Sequence, residues 1–129
     1  MTFSFSYNES DEYLLVTHDG IIDKQYVNAI VKEIAAAVFE HRCHKILSDY
    51  RHATLHLNTF EILAAQQKVF DALVENDLSP YLVKRAMVLN KENENNPGLS
   101  FFETVSINRS QKVKSFFDLE QAITWLTKE

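Results

Sequence analysis

Glycine, proline and cysteine are scarce in this chain: two, two and one among 129 residues. So few glycines and prolines leave no room for a flexible linker or a low-complexity tail. Both glycines are isolated, so no glycine-rich loop is available to cradle a phosphate. The lone Cys43 excludes an intramolecular disulfide and fits a reducing compartment. No apolar run approaches the roughly 18 residues a membrane-spanning helix needs. Met1-Thr2-Phe3-Ser4-Phe5 lacks the basic and apolar blocks of a signal peptide, so a cytoplasmic location is expected. Positive charge is also short, with 13 Lys and Arg against 18 Asp and Glu and a net charge of −5. That balance argues against a nucleic-acid binder, which needs a basic footprint. The densest basic stretch, Arg109 to Lys114, reads as a solvated strand and turn.

What the chain does have is an ordinary globular balance, 46% apolar and 24% charged residues, at a length normal for one domain. Phe3, Phe5 and Tyr7 alternate with Ser4 and Ser6, the pattern of a half-buried strand. A turn at Asn8 to Asp11 leads into a second strand, Tyr13 to His18, which Asp19-Gly20 is expected to close. Asp23 caps a helix whose Tyr26, Ile30, Ile34 and Val38 recur every four residues, ending near His41. Ile46 and Leu47 form the third strand. Asn58 with Glu61 has capping-box spacing for a second helix, whose buried face is expected to be Ile62, Leu63, Val69, Phe70, Leu73 and Val74. Arg85 to Asn90 is a fourth strand, its apolar run suited to cover on both faces. Asn96-Pro97 opens a short third helix anchored by Phe101, Phe102 and Val105. Val113 to Phe117 is a fifth strand, and Asp118 begins a last helix with Leu119, Ala122, Ile123 and Leu126 on one face.

The order is therefore ββαβαβαβα: an α/β fold with one mainly parallel sheet of about five strands, an N-terminal antiparallel hairpin and about four helices. The third strand ends abruptly in charged residues, Asp49 and Arg51, followed by a polar connection carrying His52 and His56 up to Asn58. Open α/β sheets receive ligands and partners outside the carboxyl ends of their strands. That loop is the expected place for function.

The pattern resembles the SpoIIAA-like proteins, a bacterial group sharing the STAS fold of anti-sigma factor antagonists. The similarity rests on Ile46-Leu47-Ser48-Asp49-Tyr50-Arg51, on Lys84-Arg85-Ala86-Met87-Val88 and on Val113 through Leu126, and it covers nearly the whole chain as one domain, residues 1–129. These are mostly packing positions, which identify a fold better than a function. The resemblance implies a small non-catalytic module that binds a protein partner, or else a hydrophobic ligand or a membrane surface. Anti-sigma factor antagonists are switched by phosphorylation of a serine at the start of the helix after the Asp49-type strand. The matching segment here, Leu57-Asn58-Thr59-Phe60, lacks the family's Asp-Ser-Ser-Gly signature, and Thr59 is its nearest hydroxyl.

Three hypotheses follow, in order. The first is a regulatory or interaction module contacting a protein partner through Asp49, Arg51, His52, His56, Asn58, Thr59 and Phe60. The second is a binder of a small apolar ligand or a membrane surface, which requires an apolar cavity under a helix or an exposed apolar patch among Leu55, Leu57, Phe60 and Leu63. The third is an enzyme using Asp49, His52 or His56, which requires those side chains to converge in one pocket. No cofactor is expected. His41-Arg42-Cys43-His44 reads as a helix end rather than a metal site, because no second ligand cluster has matching spacing. A homodimer is compatible with all three.

Overall fold

The computed structural model describes residues 2–93, 103–104, 107–108 and 110–128. Its elements run β1 (Thr2–Asn8), β2 (Tyr13–Ile22), α1 (Lys24–His41), β3 (Lys45–Leu55), α2 (Thr59–Glu75), β4 (Lys84–Val88), β5 (Val113–Phe116) and α3 (Leu119–Thr127). The strands form one sheet in sequence order, with β1 antiparallel to β2 and every other neighbouring pair parallel. This is the expected mixed sheet with its N-terminal hairpin. The described residues hold three α-helices and a 3-10 turn at Lys91–Asn93, against about four expected helices. The expected helix on Asn96, Pro97, Phe101, Phe102 and Val105 lies outside the described residues, as does Arg109.

All three helices start where their caps are. The Asp23 carboxylate accepts from the Tyr26 backbone N–H at 2.9 Å, and Asp118 accepts from Gln121 at 3.0 Å. Asn58 and Glu61 complete a reciprocal capping box, each side chain bonded to the other's backbone N–H. Such caps satisfy N–H groups that a helix end otherwise leaves without partners.

Period-two alternation divides the sheet into two differently covered faces. Leu14, Val16 and Ile46 meet α1 and α2 through Tyr26, Ile30, Val38 and Leu73. On the opposite face Tyr13, Leu47, Ala86 and Val88 pack against Ala122 and Leu126 of α3. In α2 the buried residues are Ile62, Gln66, Ala72 and Leu73. Val74 is exposed and Leu63, Val69 and Phe70 are only half-buried, narrower than the face the sequence suggests. Val74 follows Leu73 and so points about 100° away around the axis.

The central strands are longer than expected. β2 does not close at Asp19-Gly20 but continues to Ile22, and β3 continues to Leu55. Gly20, at φ 91°, holds a backbone shape that costs a side-chain-bearing residue dearly. The pairing register steps from Thr17 against Asp49 to Asp19 against His52, so His18 faces two residues of β3, Tyr50 and Arg51. This is a β-bulge, an extra residue that re-aims the side chains beyond it. Tyr50 packs on the α1 side, Arg51 and His52 are both exposed, and Ala53 turns back into the α1-side core. The polar segment expected to be a loop is therefore mostly strand. Paired backbone on β2 compensates for its unpromising side chains.

Candidate functional site

The residues proposed from sequence differ in exposure and in what already engages them. Asp49 is 6% exposed, and Arg51 grips it with Nε to Oδ1 at 3.0 Å and Nη2 to Oδ2 at 2.9 Å. The Arg51 backbone N–H also donates to Oδ1, at 3.1 Å. Burial alone would raise the Asp49 pKa, but the hydrogen bonds and charge of Arg51 outweigh it and lower it. The carboxylate is thus committed to its neighbour. His52 and His56 are exposed, His52 on the strand and His56 just beyond it. The three side chains required by an enzymatic reading do not share any of the hollows described below.

At the start of α2, Asn58 is occupied by capping and Thr59 is exposed as the first helical residue. Phe60 is 82% exposed, unusual for so large an apolar side chain. It borders a surface groove of about 240 Å³ between the first turns of α1 and α2, with Lys24, Val27, Leu57, Ala64 and Lys68.

Beneath that groove lies an apolar hollow of about 100 Å³ between the sheet and the two helices. Ile30 and Ile34 wall it from α1, Val69 from α2, and Leu55, Leu57 and Met87 from the sheet side. Leu57 and Val27 line both the hollow and the groove. One end carries polar aromatic groups: His18, Tyr26 and Tyr50. The His18 ring stacks on Tyr50 with centroids 4.2 Å apart, and its Nδ1 lies 2.5 Å from the Tyr26 hydroxyl. His18 is 1% exposed and its Nε2 has no partner. Burial pushes its pKa down to about 4, overriding the pull of the Asp49 charge.

A second hollow of about 70 Å³ adjoins the first, sharing Ile34, Tyr50, Val69 and Met87 with it. Ser48 and Arg85 line it too. Arg85 is 7% exposed, and its Nη2 donates to Gln111 Oε1 at 2.5 Å while its Nε is unpartnered. Burial lowers its pKa to about 10, with the Tyr50 phenol pulling the other way, so the guanidinium is charged at neutral pH.

His18, Tyr26, Arg85 and Gln111 were not among the candidates drawn from sequence. A signal was present in the alternation: His18 continues the inward series of Leu14 and Val16, and Arg85 shares a face with Met87. A polar residue in an inward position demands a partner. The His41-Arg42-Cys43-His44 segment is the end of α1, with Arg42 in the left-handed region at φ 51°, Cys43 buried and His41 stacked on Tyr7. Among the described residues, no group of three or more His, Cys, Asp or Glu is placed to hold a metal ion. Nor is any helix of the described residues long and apolar enough to cross a membrane.

No family model matches the sequence, and no curated protein does. Solved structures do. The chain is similar to the anti-sigma factor antagonist SpoIIAA in its unphosphorylated form, with a TM-score of 0.57 and 12% identity over 99% of this chain and 100% of that one. An anti-sigma factor antagonist from Mycobacterium paratuberculosis gives a TM-score of 0.58 and 12% identity, covering 98% of this chain and 96% of that one. An uncharacterised protein from Shewanella loihica gives 0.53 and 17%, covering 97% and 92% respectively. The last is itself described as having a SpoIIAA-like fold. At these identities the likeness concerns architecture, and the chain has the SpoIIAA-like α/β fold.

Proposed function

We propose that this chain is a non-catalytic regulatory module that binds a protein partner through the end of β3 and the start of α2. The observation carrying this reading is Phe60, 82% exposed beside a groove flanked by Lys24 and Lys68. An exposed aromatic next to a concave, partly apolar surface is the usual make-up of an interface anchor. His56 and Thr59, both exposed, are its polar neighbours along the chain, with Thr59 accessible to phosphorylation. Two of the structural neighbours are anti-sigma factor antagonists, proteins named for opposing another protein. The test is affinity capture from native lysate at low and moderate salt, with the Phe60→Asp chain in parallel. A partner held by the unmodified chain and lost with Phe60→Asp supports the interface. No reproducible partner, or one held equally by both chains, overturns it.

The apolar hollow supports a second reading, the binding of a small apolar ligand between the helices and the sheet. Interiors are normally packed with few voids larger than a water molecule, so about 100 Å³ walled by Ile, Leu, Val and Met side chains stands out. Addition of hexan-1-ol should shift amide resonances of hollow-lining residues such as Ile34 and Val69. Shifts scattered over the surface instead would remove this reading.

A further inference from the structure

Arg85 stands in the one kind of place where a positive charge is hardest to keep. Its side chain is buried, and among the described residues no carboxylate pairs with it; the ion pair they contain is Arg51 with Asp49. Its described hydrogen-bond partner is the neutral amide oxygen of Gln111. Removing a guanidinium from water without a counter-charge costs several kcal/mol in principle. A buried Arg fork is also built for planar, two-oxygen anions. Two more buried polar atoms without partners lie on the same run of chain: Gln111 Nε2 and Ser115 Oγ. Gln111, Val113 and Ser115 alternate along one face of the fifth strand and its approach. The polar hollow that Arg85 lines opens beside the apolar hollow, with Tyr50 and Met87 common to both.

From this adjacency we infer that the two hollows form one site for a small monocarboxylate, its carboxylate on the Arg85 guanidinium and its apolar tail between α1 and α2. The inference rests on the apolar-ligand reading and specifies its ligand class. A single positive charge beside a neutral amide suits a single negative charge better than a doubly charged phosphate monoester. Hollows of about 100 and about 70 Å³ set the size. A dry cavity of about 150 Å³ takes benzene, so an acid of roughly six carbons, its carboxyl carbon included, fits the two hollows together. Tyr50 sits at the junction, its ring against His18 and its phenol within electrostatic reach of Arg85.

Hexanoate and hexan-1-ol, equal in tail and different in head, separate the components. Titrated into the full chain at pH 7 and followed by amide and arginine side-chain NMR, hexanoate should bind on the order of tenfold to a hundredfold tighter than the alcohol, the range for a hydrogen bond to a charged group. The Arg85 Nε–H resonance should move with hexanoate and not with hexan-1-ol, which needs no variant. In Arg85→Met the preference should fall to about one while hexan-1-ol still binds. Arg85→Lys, which keeps the charge without the fork, should retain only part of it. Equal binding of acid and alcohol, an unmoved Arg85 resonance, or an undiminished preference in the variants overturns the Arg85 assignment alone. Binding of neither overturns the apolar-ligand reading with it.

Discussion

The two faces of one sheet are built differently. Against α3, the small side chains of Ala86 and Ala122 let Leu47, Val88 and Leu126 close up, all of them 1% exposed or less. Against α1 and α2, larger side chains leave hollows and enclose His18 and Arg85 with unpartnered nitrogens. Both faces derive from the same alternating strands, so neither sheet geometry nor chain length accounts for the contrast. What differs is the inward residue choice. One face is chosen for packing and the other retains polar groups that packing alone would reject. A protein selected only for stability would gain by replacing them.

The contrast can be broken at several points. The largest effect is expected on the close-packed side, where Leu126→Ala should destabilise by about 3 kcal/mol, since a tight site cannot collapse around lost methyl groups. Urea denaturation measures it, and a loss under about 1 kcal/mol would mean that this face is looser than it looks.

A similar magnitude is expected on the other face, expressed through pH. The His18 pKa is lowered by burial to about 4 from 6.5, so the unfolded chain binds the proton more readily than the folded one. Its contribution is fully present above pH 6.5 and is lost as the pH falls through about 4, a change on the order of 3 kcal/mol. In His18→Phe that slope between pH 7 and pH 4 should flatten. An unchanged slope would assign it to other groups.

Smaller, and opposite in sign, is the expected result of Arg85→Met without ligand. Removing a buried charge that has no counter-charge among the described residues should stabilise by about 1–2 kcal/mol, net of the Gln111 oxygen it leaves unbonded. Thermal denaturation would show it as a higher midpoint, and a clear loss of stability would mean that the guanidinium is structurally required. Last is Arg51→Ala, expected to cost about 1 kcal/mol: the Arg51 side chain is 39% exposed and easily screened, but the Asp49 side chain, at 8%, would keep only the Arg51 position's backbone N–H among its described partners. A loss above about 2 kcal/mol would place the Asp49–Arg51 pair among the core determinants.

The fold was legible in the sequence wherever local chemistry decides it. Asp23, Asn58 and Asp118 announce their helices because a cap needs only residues within one turn. The end of β3 was not legible, because Arg51 and His52 are consecutive outward residues and read as a loop. Only pairing with β2, distant in sequence, extends the strand to Leu55. The candidate groups were legible unevenly. The segment after Asp49 does lead to the exposed Phe60. The groups lining the hollows are scattered across the chain, from His18 to Arg85, and only the sheet brings them together.

The bulge in β3 behaves like a shifted reading frame. Up to Tyr50 the even-numbered residues from Ile46 onward face α1 and α2; past it Ala53 and Leu55, odd-numbered, do so. One surplus residue therefore decides which half of the strand's alphabet is read toward the hollow. Deleting Arg51 would straighten β3 without changing that choice: Ala53 and Leu55 would then stand two and four places after Tyr50 and still face α1 and α2. One further residue inserted beside Arg51, with the single bulge kept, would turn both outward, so the hollow would lose its Leu55 wall without any substitution within it.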